Sequence, residues 1–443
     1  MCCMAAVPEP SLILSFEEAR HLVEEHAARL RPRGKELLDL LDSAGRILAE
    51  SVAADRDFPP FPRATRDGYA VRAADLARLP ATLEVIGEIK AGAALEKSAI
   101  KLEPGQAAAI MTGAPAPPGA DAVVMVEYTS PQGDQVQITK AVVAGENIVA
   151  AGSEAKRGDR LLSPGVRLDH AAIAVAASAG RSHLLVYGKP QVAVLTTGDE
   201  VVDIDVPPGC NQIRNSNSYS LAAQIQAAGG EPMLLPIAPD EPVRLRELIV
   251  DGFEADLLLL TGGVSMGKYD LVEQVLAEFQ AEFFFTGAQI QPGRPIVFGR
   301  VPCSLARERE GHRFSRAHQG ASATAPSASE EHKYFFGLPG NPVSTMVTFE
   351  LFTRPILEAL AGMPPRKLVF LHARLKSEIK TKTGLKRFLP AILSGEFEQA
   401  EVELARWQGS GDIAATARAN CYVVVPAHRE RIAPGEWVAV LLR

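Results

Sequence analysis

Cysteine, tryptophan and long apolar runs are scarce in this chain, and each scarcity excludes something. Among 443 residues there are five cysteines, Cys2, Cys3, Cys210, Cys303 and Cys421. None forms a C-x-x-C pair, so neither a disulfide framework nor a zinc knuckle is indicated. The nine histidines show no H-E-x-x-H or other close ligand spacing, which argues against a structural transition metal. No stretch approaches the roughly 18 apolar residues of a membrane span. Ser11-Leu-Ile-Leu14 is too short for a secretory signal, and no basic residue precedes it. A cytoplasmic protein without a membrane partner is therefore expected. An excess of basic charge is also missing, with 46 Lys and Arg against 53 Asp and Glu and a net charge of −7. That speaks against a nucleic-acid partner, whose binding depends on a basic surface. Neither G-x-G-x-x-G nor a complete G-x-x-x-x-G-K-[ST] occurs in the chain. A nucleotide-binding dehydrogenase or kinase reading thus finds no support.

What is present is the composition of a globular protein, 47% hydrophobic and 22% charged. The length is too great for one core, so several domains are expected. Ser15-Phe-Glu-Glu18 has the pattern of a capping box, and a helix follows through Leu22, His26 and Leu30 until Pro32 and Gly34 end it. A second helix is expected over Ala44 to Ala49. From Val71 to Val143 short apolar segments separated by Gly and Pro turns predict a β domain. Gly145 to Gly165 reads as a loop with turns, and Asp169 to Gly180 as a small-residue helix.

From Pro190 the grammar changes. Apolar strands at Val192–Leu195, Pro232–Pro236 and Leu257–Leu260 alternate with helical patterns at Ser218–Ala228, Glu241–Asp251 and Leu271–Phe279. Such alternation implies a parallel α/β sheet covered on both faces, which binds ligands beyond the carboxyl ends of its strands. Val297–Val301 reads as a hairpin strand, Tyr334–Leu338 as a further strand, and a helix follows Leu338-Pro-Gly-Asn-Pro to about Leu360. Residues 303–333, charged and then Ser/Ala-rich, have no periodicity and read as a disordered insert. After Met363-Pro-Pro365 comes a last β module, Lys367 to Arg443.

The densest chemistry lies in Thr261-Gly-Gly-Val-Ser-Met-Gly-Lys-Tyr-Asp270. Glycines between a strand and a helix leave backbone N–H groups free for phosphate or another oxyanion, and Gly262, Gly263 and Ser265 form such a cradle. Asp270 is out of place beside an anion unless it holds a cation or moves a proton; the alternative is an N-cap for the following helix. Glu200, Asp240 and Asp270 all fall at strand ends of the same sheet.

Several ordered motifs together carry a resemblance: Thr65-Arg-Asp-Gly-Tyr-Ala-Val71, Met111-Thr-Gly-Ala114, Gly145-Glu-Asn-Ile148, Thr197-Gly-Asp-Glu200, Ile213-Arg-Asn-Ser-Asn217, the Thr261–Gly267 turn with Asp270, Gln291-Pro-Gly-Arg-Pro295 and Leu338-Pro-Gly-Asn-Pro-Val-Ser344. The chain resembles the molybdopterin molybdenumtransferases of the MoeA type, which include the E domain of gephyrin, over nearly its whole length. The resemblance implies a multidomain α/β plus β fold: an extended dimerisation region (11–50 and 145–185), a β domain (51–144), a parallel α/β molybdopterin-binding domain (186–362) and a C-terminal β-barrel (366–443). It implies insertion of molybdate into adenylylated molybdopterin with release of AMP, helped by a divalent cation, in a homodimer with a shared cleft; Mg²⁺, which prefers one or two carboxylates and keeps its waters, suits the anionic anhydride, and Glu200, Asp240 and Asp270 could converge on it. An upstream adenylyltransferase and downstream molybdoenzyme maturation proteins are the partners it suggests. A non-catalytic scaffold is the competing reading, since gephyrin also organises receptors; the acidic set Asp67, Glu200, Asp240 and Asp270 argues against scaffolding alone.

By the same resemblance, Thr112, Thr197, Gly198, Asn215, Ser216, Pro339, Gly340 and Asn341 join Gly262, Gly263 and Ser265 in binding the substrate. Asp67 and Thr112 reach the cleft from the other subunit, although Asp67-Gly68 alone reads as a hairpin turn. Molybdate falls to Arg294, Pro295, a basic barrel residue and Ser410, which otherwise reads as part of a flexible hairpin turn. A guanidinium presents forked donors to an oxyanion better than a point charge does. Gln291 and Arg294 stand where many relatives carry lysines, and Pro390 stands where relatives often carry the barrel arginine, leaving Lys386 or Arg387 to substitute. Arg66 likewise stands where methionine is common.

Overall fold

The structure is a computed structural model that describes residues 12–92, 100–263, 271–306 and 332–443. It divides into two compact units. One takes in the described residues up to Glu36, Gly45–Ala49 and Leu185–Arg443; the other takes in Leu37–Ala44 and Glu50–Leu184. No helix among the described residues is long and apolar enough to cross a membrane.

The first unit opens with α1 (Phe16–Arg29), where the capping box forms as its sequence predicts. The Glu18 N–H donates to Ser15 Oγ at 3.2 Å, and the Ser15 N–H donates to Glu18 Oε2 at 2.9 Å. Its buried face, Phe16, Ala19, Val23 and Ala27, has helical spacing and packs into the core of the α/β sheet. His26 is buried there too, stacked on Phe284 at 4.0 Å with Nδ1 3.1 Å from Tyr334 Oη. Burial favours its neutral form and holds its pKa down, to about 4.

The sheet itself comprises β1 (Gln191–Thr196), β2 (Glu231–Leu234), β3 (Leu257–Thr261), β4 (Glu282–Phe285), β6 (Val297–Pro302) and β7 (His332–Leu338), while β5 (Ile290–Gln291) leaves it for the barrel. The strand order is β2-β1-β3-β7-β6-β4. Helices α2 (Ser216–Ala228), α3 (Pro242–Gly252) and α4 (Leu271–Glu278) supply the crossovers. Val192 to Leu195 and Leu257 to Leu260 are buried along their whole length, because helices cover both faces. The parallel character that the sequence implies holds for β2, β1, β3 and β7, while β6 runs antiparallel to β7 and β4 antiparallel to β6. The hairpin character of Val297–Val301 reverses the chain at that edge.

Two expectations are revised. Ala44–Ala49 is not helical. Gly45 sits at φ +77°, and Ile47 and Ala49 pair through their backbones with Tyr187 and Leu185, so the strand beside them overrides local propensity. The insert expected over 303–333 is narrower among the described residues, since Cys303–Ala306 is helical and β7 begins at His332. Lys333 is buried and donates to the Ala255 carbonyl at 2.6 Å; residues 307–331 lie outside the described ones. The run after Asn341 is helical to Leu360 with a π-helical stretch at Phe349–Thr353.

The barrel closes from five strands, Leu371–Leu375, Lys386–Ser394, Glu401–Leu404, Cys421–Val425 and Trp437–Leu442, because Lys386–Ser394 pairs with Cys421–Val425 as well as with Glu401–Leu404. Its filling includes Ala373, Leu375, Val402, Val423 and Val440. Strand β5 adds to the barrel in parallel, with Ile290 opposite Lys386 and Gln291 opposite Arg387. That pairing carries the proline-rich loop after Gln291 to the barrel wall.

The second unit holds a six-stranded sheet, ordered Ala122–Met125, Gly68–Val71, Gln106–Ile110, Ala81–Ile89, Gln135–Ile138 and Thr129–Gln132. Val71, Leu83, Val124 and Val136 fill one of its faces.

Candidate functional site

Two cavities in the first unit meet at Pro295, Pro339 and Asn341. The first, of about 370 Å³, lies at the carboxyl ends of β1, β3 and β7. The parallel register sets Thr196 beside Thr261 and Thr261 beside Leu338, so the turns that follow arrive at one level. Gly262 takes φ +88°, and a Cβ there would stand 2.4 Å from the Thr197 carbonyl oxygen. Only glycine lets these two turns approach so closely.

The floor is a buried polar network. Asn217 donates from Nδ2 to Thr261 Oγ1 at 2.9 Å and to the Gly340 carbonyl at 2.7 Å. Asn215 caps α2, its Oδ1 accepting from the Ser218 N–H at 3.1 Å. The Ser218 hydroxyl in turn meets Thr196 Oγ1 at 2.8 Å. Two buried polar atoms remain without a partner in this network, Thr197 Oγ1 and Asn217 Oδ1. Unpartnered buried polar atoms cost free energy unless something else satisfies them. Thr197, Asn215, Ser216, Gly262, Gly263, Pro339, Gly340 and Asn341 all line this cavity; Gly198 follows Thr197 without lining it. Ser265 lies outside the described residues.

Glu200 also lines the cavity, whereas Asp240 does not. The Asp240 N–H donates to Asp199 Oδ1 at 3.1 Å. Its carboxyl is pushed above the usual aspartate range by desolvation first, then by the charges of Asp199 and Glu200. No group of three His, Cys, Asp or Glu residues poised for a metal forms among the described residues, and Asp270 lies outside them. The mutual repulsion of Asp240, Asp199 and Glu200 is nonetheless the donor chemistry that suits a hard divalent cation.

The second cavity, of about 620 Å³, lies between the Gln291–Pro295 loop and the barrel. Arg294 and Pro295 line one side; Leu385 and Trp407–Ser410 line the other. The Arg294 side chain is exposed. The Ser410 loop is tied down, because its carbonyl accepts the Val343 N–H at 3.0 Å. Of the two basic residues offered for this site, Lys386 is engaged elsewhere: it pairs with Glu17 and lies 4.7 Å from the Phe16 ring centre. Arg387 is 7% exposed and does not line the cavity. Its Nε donates to Gln291 Oε1 at 2.8 Å and its Nη1 to the Leu385 carbonyl at 3.0 Å. Both acceptor residues do line the cavity.

Asp67 and Thr112 belong to the second unit. Asp67 Oδ1 accepts from the Thr112 N–H at 2.6 Å and from its hydroxyl at 2.8 Å. The backbone bond first, then the hydroxyl, hold the carboxyl below the usual range, so it is ionised at neutral pH. Asp67-Gly68 is not a hairpin turn: Gly68 begins a strand between Gln106–Ile110 and Ala122–Met125, and a Cβ on it would overlap the Val124 carbonyl.

Three family models and several known proteins match the chain. Residues 14–180 match the family model described as MoeA N-terminal region (domain I and II), 193–359 that of the Probable molybdopterin binding domain, and 372–442 that of the MoeA C-terminal region (domain IV). A molybdopterin molybdenumtransferase of Nostoc is 34% identical over 92% of this chain and 88% of its own. The chain belongs to the molybdopterin molybdenumtransferase family. The Bacillus subtilis member is 30% identical over 92% of this chain and 89% of its own. A solved MoeA protein from Pyrococcus horikoshii, 27% identical, matches with a TM-score of 0.72 over 97% of this chain and 100% of its own.

Sequence reasoning missed Asn217, Trp407, Gln408 and the Arg387–Gln291 pair. Asn217 closes the Ile213–Asn217 motif and sits two residues past a capping Asn, a spacing that points its side chain back over the first helical turn. Nothing local marks Trp407 or Gln408, which reach the cavity only because the barrel closes.

Proposed function

We propose that this chain, an enzyme of molybdenum cofactor biosynthesis by its family, inserts molybdate into adenylylated molybdopterin, releasing AMP and molybdenum cofactor. The observation that carries the reading is the pair of adjoining cavities. One offers glycine turns and a helix N-terminus to a phosphorylated substrate. The other offers the free guanidinium of Arg294 to a small dianion. Sharing Pro295, Pro339 and Asn341, they bring two anionic substrates together, which converts a bimolecular encounter into a positioned one.

In this reading Thr197, Asn215, Ser216, Gly262, Gly263 and the Pro339–Asn341 turn orient the substrate, and Arg294, Pro295 and Ser410 orient the oxyanion. Glu200 and Asp240, with Asp270, would hold Mg²⁺, which when bound neutralises charge at the phosphoanhydride. The protein works as a cytoplasmic homodimer, in which the ionised Asp67, fixed by Thr112, contributes to the partner's cleft.

Incubating the protein with adenylylated molybdopterin and following AMP tests this. AMP release that depends on added molybdate is expected; none would leave the scaffold reading standing. The Asp270→Asn variant is expected to fold and bind the pterin yet fail to release AMP, since stabilising developing phosphoryl charge supplies several kcal/mol. If Asp270 only caps a helix, asparagine serves almost equally well and turnover stays at the wild-type rate.

A further inference from the structure

Gln291 is the residue in the oxyanion cavity whose side-chain amide has one end already committed. Its Oε1 accepts from Arg387 Nε at 2.8 Å. A guanidinium has donors and no acceptor, so the carbonyl end of the amide must face it and the NH₂ end must face away. Gln291 lines the cavity, so the NH₂ end left free by Arg387 is the end available to a ligand there. Arg387 cannot easily move aside. It is 7% exposed, stands directly opposite Gln291 in the parallel β5–barrel pairing, and is fixed a second time by the Leu385 carbonyl at 3.0 Å. The neighbouring Lys386 pairs with Glu17 and does not compete for the amide.

We infer that Gln291 is a fixed, neutral hydrogen-bond donor to the bound oxyanion, and that Arg387 is a positioning residue that acts through it. This rests on the reading of this cavity as the oxyanion site. Two N–H groups aimed in advance lose little freedom on binding, and the charge behind them polarises the amide. The cavity therefore meets its dianion with one exposed cation, Arg294, and one fixed neutral donor. Selection then depends on where the oxygens fall as well as on charge.

Molybdate binding by equilibrium dialysis, with thermal unfolding as a control for folding, tests the pair. Gln291→Met keeps the size and removes the donor, and is expected to weaken binding about tenfold, the worth of one hydrogen bond. Arg387→Met releases the amide and is expected to cause a similar loss, and the double variant no further loss than either single one. Arg387→Lys keeps a donor for Oε1 and is expected to restore most of the affinity. Additive losses, or an Arg387→Met protein that binds normally, would overturn the positioning role. Should Arg387→Met fail to fold, Gln291→Glu decides. A carboxylate held by Arg387 presents oxygen to the cavity and must bind molybdate much more weakly than Gln291→Met; equal affinities of the two overturn the inference. Wild-type binding that Arg294→Ala reduces but Gln291→Met does not would sink this inference alone. Binding indifferent to both would sink the oxyanion reading, and this inference with it.

Discussion

The strand-end cavity and the barrel-side cavity adjoin, yet they are built in opposite ways. The first is made by backbone. Its walls are turns held level by parallel register, its floor a buried network in which Asn217, Thr261 and Gly340 fix one another. The second is made by side chains on a loop. Its cation, Arg294, is exposed, and its fixed donor is held by a residue 96 positions further along the chain. A rigid cradle of N–H groups suits a large substrate with phosphates at set positions. A cation on a flexible stem suits a small, symmetrical dianion that can be met from several directions. On the proposed reading, one sheet and one barrel divide the recognition of two anions between geometry and charge.

The sharpest way to break that division is Gly262→Val. The added Cβ would stand 2.4 Å from the Thr197 carbonyl oxygen, and φ +88° is a conformation that a β-branched residue scarcely adopts. Relief requires the turn to move, at a cost of at least about 2 kcal/mol. Affinity for adenylylated molybdopterin and AMP release should both fall by about two orders of magnitude, while molybdate binding at the barrel side stays within a few-fold of normal. Isothermal titration with each ligand separately checks this. Normal pterin affinity in the variant would show that the substrate does not use these turns.

Arg294→Ala perturbs the other side. A charged hydrogen bond lost from the oxyanion costs roughly 1.5–3 kcal/mol, about ten- to a hundredfold in the molybdate concentration needed. Affinity for the adenylylated pterin should stay near normal. Equal losses for both ligands would place Arg294 on the pterin phosphates and erase the division between the cavities.

The two cavities also differ in how much of them the sequence discloses. The strand-end site is legible because its signals are local. Continuous apolar runs such as Leu257–Leu260 announce buried parallel strands, and glycines directly after them announce the turns. What is lost there is lost to tertiary pairing. Asn217 is visible as a residue of a motif, but its contacts to Thr261 and Gly340 exist only once α2 is docked over the ends of β3 and β7. The barrel-side site is legible only in Gln291–Pro295. Arg387 looks in sequence like a free cation for the oxyanion, whereas closure of the barrel buries it against Gln291. The same kind of override explains Ala44–Ala49, where helix-favouring residues are drawn into backbone pairing with Leu185 and Tyr187.

The smallest expected effect concerns charge on the backbone-built side. Asp240 lies near Asp199 and Glu200, and its carboxyl is raised by desolvation first and by those two charges next. Raised in the folded protein, this carboxyl binds its proton more tightly there than in the unfolded chain. Its contribution is therefore favourable below the ordinary aspartate value, about pH 4, and is lost as pH rises through the folded-state value above that. Near neutrality the ionised Asp240 costs stability, and Asp240→Asn removes that cost. Thermal unfolding without divalent cations should show the variant gaining on the wild type as pH rises from about 4, with the gap constant once both forms are fully ionised. Added Mg²⁺ should then stabilise the wild type more than the variant, since a cation answers a repulsion that asparagine has already relieved. Parallel melting curves at every pH would mean that Asp199 and Glu200 do not burden Asp240. An equal response to Mg²⁺ would remove Asp240 from the cation site and leave Glu200 and Asp270 to hold it.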